Sequence, residues 1–302
     1  MVRRNGGSRE IWGIVFAALA AVALGTEGVA AKLAYAGGAN MLTTLALRFL
    51  FAATFFWGNL LLFPSNWRVD QRTFYQLIVL SLGGQALTVL LLFYAFQHIP
   101  AAAAILFFYI YPAIVTILAA VFLHEPLTRA KGGALFLAFL GLSIVLGIPA
   151  GDWKGGGTAA ALLAALANGI FMVGQTRLLK RLEPKIFNAY ATLTMGVAFL
   201  FVALMTGNFN LSFNIQALLA IAVLALITTV LAYMAMAKGL TYLGASRVAI
   251  ICTLEPVVTA VLGFLVLGEK LQPGQILGGT LILLGVTWQQ VAGQGAVAPD
   301  NT

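Results

Sequence analysis

Charge is what this sequence has least of. Asp, Glu, Lys and Arg make up 9% of its 302 residues, where a soluble domain carries about 25%, and 61% are hydrophobic. A fold bounded by water could not cover its own surface with that composition, so lipid is the solvent of most of the chain. One cysteine, Cys252, excludes an intramolecular disulfide, and two histidines, His98 and His124, leave no ordinary zinc site. A membrane-embedded enzyme would need a clustered acid/base or metal constellation. None is visible, so no catalytic residue, metal or cofactor is expected. Acid is the scarcer sign, with 9 Asp and Glu against 17 Lys and Arg, for a net charge of +8. A nucleic-acid surface would need a folded hydrophilic face to carry that charge, and where the cations sit decides against one.

What is abundant is apolar run length. A bilayer core of ~30 Å needs roughly 20 apolar helical residues, because backbone groups in lipid must be paired within the segment. Ten spans read as 11–34, 42–63, 74–96, 101–123, 131–149, 158–178, 187–206, 214–237, 246–267 and 274–292, separated by breaks such as Gly151-Asp152-Trp153-Lys154-Gly155 and Gly207-Asn208-Phe209-Asn210. The fold class expected is therefore an all-α membrane protein, and connections this short make neighbouring helices antiparallel.

Alternating the loops places thirteen cations on one face: Arg3, Arg4, Arg9, Arg68, Arg72, Arg129, Lys131, Arg177, Lys180, Arg181, Lys185, Lys238 and Arg247. Lys32, Lys154 and Lys270 fall on the other, and Arg48 lies inside a span. By the positive-inside rule both termini are cytoplasmic, in the inner plasma membrane of a cell, and the number of spans is even. Arg3, Arg4 and Arg9 followed by an apolar run and Val29-Ala30-Ala31 imitate a cleavable secretory signal, but the parity requires the first span to be kept. Trp12, Trp57 and Trp288 fit anchors near span ends.

The chain also repeats itself. Shifted by 144 residues, Pro112 falls on Pro256, Glu125 on Glu269, Leu127 on Leu271 and Gly141 on Gly285. Pro and Glu are rare here, so their matches weigh more than those of Leu or Ala. An offset of 148 sets Glu27 on Gln175 and Lys32 on Lys180. The organisation expected is a first five-helix repeat over 1–149, a linker over 150–157, a second repeat over 158–293 and a cytoplasmic tail over 294–302. Five is odd, so the second repeat enters the membrane from the opposite side. Inverted repeats are a hallmark of secondary transporters, whose sites lie near the bilayer midplane at the repeat interface.

Three charges lie deep in the apolar runs, Glu27, Arg48 and Glu255, where each needs a partner or a task. Glu27 and Arg48 sit at similar depth, about 10 Å in from the same face at ~1.5 Å per residue. A structural ion pair is one reading of them, and a gating or substrate role the other. Glu255 lies near the bilayer centre and precedes Pro256, which cannot donate to the carbonyl of Cys252. Pro112 releases the carbonyl of Phe108 in the same way, so paired kinks are expected at the repeat interface. Glu255 is read as a substrate or proton contact, or as a structural carboxyl bonded to a neighbouring helix. Gln85, Asn168, Gln175 and Tyr233 are further cavity candidates, with Phe107, Tyr109 and Tyr111 around the first kink. Interhelical bonding competes with ligand contact for each amide. The run Phe107-Phe108-Tyr109-Ile110-Tyr111 must point round more than one helix face, so only part of it can line a pathway. Glu125 and Glu269, at the water boundary, read as capping or loop ion pairs.

Ten spans in two inverted halves, with Leu254-Glu255-Pro256-Val257-Val258, Gly268-Glu269-Lys270-Leu271 and a last span through Gly278-Gly279-Thr280, resemble the EamA branch of the drug/metabolite transporter superfamily. The first half carries the matching Tyr111-Pro112 and His124-Glu125-Pro126-Leu127. Within that branch the chain is similar to YddG-type exporters of aromatic and other neutral amino acids. The resemblance implies a central cavity formed by the third, fourth, eighth and ninth spans and export by alternating access. Tyr111 stands where the second half has Glu255, so a carboxylate role is not symmetric. Phosphate-bearing substrates would want several intramembrane cations and only Arg48 is deep, which favours a neutral or zwitterionic solute. The expected site is Gln85, Tyr109, Tyr111, Asn168, Gln175, Tyr233 and Glu255, and the expected partners are a small-molecule substrate and membrane lipid. A duplicated chain holds both halves of its pathway, so a monomer suffices. An exporter of another small metabolite or drug is the alternative within the family, and a passive channel, a lipid-handling protein and a membrane enzyme are the readings from other classes.

Overall fold

A computed structural model describes residues 5–63, 66–147, 155–267, 270 and 272–294. Glu269, Leu271, the Gly151–Lys154 break and the tail beyond 294 lie outside them.

Ten helical stretches follow one another, several of them broken. They are α1 (Asn5–Gly25, then Glu27–Ala36), α2 (Met41–Leu62), α3 (Gln71–Leu80, a π-helical turn Ser81–Ala86, then Leu87–His98), α4 (Ala101–Phe108, then Tyr111–Leu123) and α5 (Arg129–Leu146). The second half gives α6 (Gly155–Leu178), α7 (Pro184–Met205), α8 (Ile215–Ala225, a π-helical turn Leu226–Leu231, then Ala232–Leu243), α9 (Ala245–Ile251, a 3₁₀ turn Cys252–Leu254, then Glu255–Leu267) and α10 (Pro273–Gln294). Among the described residues nine stretches are long and apolar enough to cross a membrane, and α10 adds a tenth helix of 22 residues. Helix α6 starts at Gly155, so residues 155–157 are helix where the sequence was read as linker.

Side-chain caps fix where several helices begin. Asn40 accepts from the Thr43 amide at 2.9 Å, Asp70 from Thr73 at 3.2 Å, Thr128 from Lys131 at 3.2 Å and Asn214 from Ala217 at 3.0 Å. Each such cap contributes about 1 kcal/mol.

The two halves repeat one another in their irregularities. The π-helical turn of α3 recurs in α8 145 residues later, and the breaks of α4 and α9 both fall within one turn before Pro112 and Pro256. That is where proline leaves backbone carbonyls without a helical donor. Packing follows the same exchange. Helix α5 lies along α10 and α2 along α7, while α1 packs on α8 as α6 packs on α3, and α4 packs on α6 as α9 packs on α1. At the α5/α10 seam a Cβ on Gly141 would strike the carbonyl of Gly278, and one on Gly278 the carbonyl of Gly141. The same seam recurs through the repeat, since a Cβ on Gly285 would meet the Ala134 carbonyl at 3.0 Å.

The ends of α1, α9 and α10 meet on what is here called the termini face. There Arg247 bonds both Glu10, at 2.8 Å, and Gln290. On the opposite face Asn40 and Thr43 donate to the Asn208 carbonyl at 2.6 and 3.1 Å, and the Asn214 amide donates to the Gly37 carbonyl.

Candidate functional site

A cavity of about 540 Å³ occupies the middle of the bundle and is lined by every helix except α7. Its lining runs from Tyr35, Leu146 and Gln275, near the ends of their helices on the face opposite the termini, down to Met172, Gln175 and Met236. Gln85, Tyr109, Tyr111, Asn168, Gln175, Tyr233 and Glu255 all line it, as do Glu27, Arg48 and Pro256. Pro112 does not. It borders a separate apolar groove of about 270 Å³ with Tyr109, Ala138 and Leu142.

The break in α4 settles which aromatic residues face inward. In a continuous helix the rings at 107–111 would spread round the axis. Here the turn at Tyr109 and Ile110 gathers Phe108, Tyr109 and Tyr111 into one cluster, with centroids 5.3 to 5.7 Å apart, and all three line the cavity. Phe107 packs instead against the buried cluster formed by Ala95, Ile99, Ala103, Ala104, Ala160 and Ala161. Across the cavity Tyr233 leans on Phe49, at 6.3 Å between centroids, and its hydroxyl lies 3.5 Å from the Gln85 amide nitrogen.

Arg48 is 3% exposed and held on every side. Its Nη1 donates to Glu27 Oε1 at 2.6 Å and its Nη2 to Glu27 Oε2 at 3.1 Å, a bidentate pair. Nε donates to Thr229 Oγ1 at 2.7 Å, Nη2 also approaches the Thr228 carbonyl, and the guanidinium lies 5.1 Å from the Phe49 ring centroid. From the π-helical turn of α8 the Thr228 and Thr229 hydroxyls donate back to the Leu224 carbonyl, in the α-helical segment before it. That turn therefore brings two threonines to Arg48. The Glu27 side chain is 41% exposed and turned to the cavity.

Glu255 opens the second segment of α9. Tyr109 lies within hydrogen-bonding reach of it, Glu27, Arg48, Tyr111 and Cys252 are its electrostatic neighbours, and among the described residues no cation stands within ion-pair distance of it. Thr259 donates to both the Glu255 and the Gly25 carbonyls at 3.0 Å, tying the bend of α1 to that of α9. At Gly25 a Cβ would stand 2.7 Å from Val258, so the two bends touch backbone to side chain.

Sequence reasoning missed Tyr35, Thr44, Phe171 and Met172 on the cavity wall. None differs in kind from residues such as Tyr75, Phe136 and Met205 on the outer surface. It also missed the Thr228-Thr229 clamp, for which adjacent hydroxyls in an apolar run were a usable signal.

On the termini side the lining ends at Met172, Met236 and the buried Gln175, and side chains tie α4 to α9 at that face. Glu125 accepts from the Ala245 and Ser246 amides at 2.7 and 3.2 Å and pairs with Lys131 at 3.3 Å. It thus caps α9 from the end of α4, where left-handed His124, at φ 60°, turns the chain toward it. Glu125 was read as a capping or loop ion pair, and it makes both kinds of contact. Its partner in the repeat, Glu269, lies outside the described residues.

A sequence profile of the EamA-like transporter family matches residues 11–147 and 155–288. The uncharacterized transporter YyaM of Bacillus subtilis is 27% identical over 186 residues, which cover 58% of this chain and 59% of that one. The uncharacterized transporter YdfC of the same organism is 28% identical over 180 residues, covering 58% of each. An uncharacterized transporter of Archaeoglobus fulgidus is 26% identical over 175 residues, or 58% of this chain and 62% of its own. The chain thus spans about six tenths of the length of the curated relatives it matches. A crystal structure superposes with a TM-score of 0.82, covering 95% of this chain and 99% of that one, at 17% identity, which shows a shared fold.

Proposed function

Because the chain belongs to the EamA-like transporter family, we propose that it is a secondary transporter exporting small neutral or zwitterionic metabolites, amino acids with aromatic side chains among them, by alternating access. One observation carries the proposal. Polar and aromatic groups from both halves converge on one cavity that is lined out to one face, while at the other face the Glu125 cap ties α4 to α9. A cavity that ends inside the bundle suits a carrier, which exposes its site to one side at a time. A passive channel would need a route through. The excess of cations on the termini face supports cytoplasmic termini in an inner plasma membrane, and the closure of the cavity within one chain supports a functional monomer.

Purified protein in liposomes should move amino acids across a broad panel with saturable counterflow. Flux of some other metabolite alone would reject the substrate, and unsaturable flux would reject the carrier.

A further inference from the structure

We propose that this cavity selects its substrate by an ammonium group, with Glu255 as the specificity-determining carboxylate, and does not recognise a substrate carboxylate. The inference rests on the transport reading and narrows its substrate to amine-bearing compounds.

Among the described residues the lining contains one cation and two carboxylates. A substrate carboxylate would need Arg48, and Arg48 is out of reach. It is 3% exposed, and Glu27, Thr229 and the Thr228 carbonyl hold four of its five N–H groups. Its charge is answered by Glu27, so the pair presents the cavity with carboxylate oxygen and almost no guanidinium. Glu255 has no cation within ion-pair distance among the described residues, since Arg48 reaches it only through space and is already paired with Glu27, and it lies beside Tyr109 and Tyr111. A carboxylate next to aromatic faces is the environment that holds an alkylammonium, by a charge-assisted hydrogen bond and by the ring quadrupole. An anion placed there would meet repulsion from Glu255 and from the outer face of Glu27.

The test compares direct binding by purified full-length protein of two probes of equal ring and chain, 2-phenylethylamine and 3-phenylpropionate. The amine should bind at least about tenfold more tightly than the acid, the worth of one charge-assisted hydrogen bond. Glu255→Gln should lower amine affinity by about the same factor and, by removing a repulsive charge, tighten binding of the acid, while Glu255→Asp retains part of the preference. Equal binding of the two probes, tighter binding of the acid or binding of neither overturns the proposal on the wild-type protein alone, whether or not a variant folds. Counterflow in liposomes separates this inference from the one beneath it. Amine binding without flux of any solute would sink the transport reading and leave ammonium selection standing. Amino-acid flux that 3-phenylpropionate inhibits as well as 2-phenylethylamine would do the reverse.

Discussion

Arg48 contributes to architecture by giving up contact with the cavity. A guanidinium in an apolar bundle is tolerated when its donors are satisfied and its charge is answered, and here Glu27, Thr229 and the Thr228 carbonyl do both. Arg48→Ala should destabilise the protein by about 2 kcal/mol, below the 3–5 kcal/mol of a wholly dry pair because Glu27 keeps access to the cavity. Arg48→Lys should not restore the loss, since an ammonium has no rigid fork for Glu27 and Thr229 at once. Thr229→Val, which leaves Nε without its acceptor, should cost about 1–2 kcal/mol. Denaturant titration in detergent measures all three, and a neutral Arg48→Ala would mean that the pair holds nothing together. The depth of Glu27, Arg48 and Glu255 was legible in the sequence because an isolated charge in a long apolar run has few explanations. The threonines were less so, because a hydroxyl can satisfy itself on its own helix four residues back.

Helices report their neighbours through their glycines. Gly141 and Gly132 both lie in α5, and only Gly141 faces the backbone of α10. Gly141→Ala pushes a methyl group into the Gly278 carbonyl, which belongs to backbone and cannot turn aside, and should cost about 1–3 kcal/mol. Gly132→Ala meets nothing within 4 Å and should be neutral or stabilise by up to about 1 kcal/mol. Equal melting temperatures for the two variants would contradict the close seam. Element lengths were legible from apolar run length, and the α4 and α9 breaks from Pro112 and Pro256. The π-helical turns Ser81–Ala86 and Leu226–Leu231 were not. An extra residue in a turn leaves no mark in composition, and in Leu226–Leu231 there is no glycine to suggest one.

At the scale of the molecule, closure of the termini face is local and breakable. On the same face the buried Ser246 hydroxyl, Arg247 Nε and Gln289 amide nitrogen find no hydrogen-bond partner among the described residues, so this seam is polar. Glu125→Ala removes both amide caps and the partner of Lys131. It should shift the population toward a state open on the termini face by about tenfold. Cys252, the sole cysteine and 1% exposed, reports it. A membrane-impermeant thiol reagent applied from that face should label the variant faster, with Cys252→Ser as the blank. Unchanged labelling would show that Glu125 is no latch. The inverted halves were legible from two shared motifs, but which helix would pack on which was not. Pairing across halves is settled by side-chain fit, and the sequence carries only its period.

The exchange of partners between halves has a consequence for how the protein is made. Helix α1 rests on α8, α2 on α7, α3 on α6 and α5 on α10, so each of these first-half helices finds its main neighbour in chain not yet synthesised when it enters the bilayer. At ~5–20 residues per second the first half waits on the order of ten seconds or more for its counterpart, with Arg48 inserted before Thr228 and Thr229 exist to receive it. Throughout that interval the nascent protein depends on the insertion machinery or on lipid to shelter polar groups that the finished bundle hides.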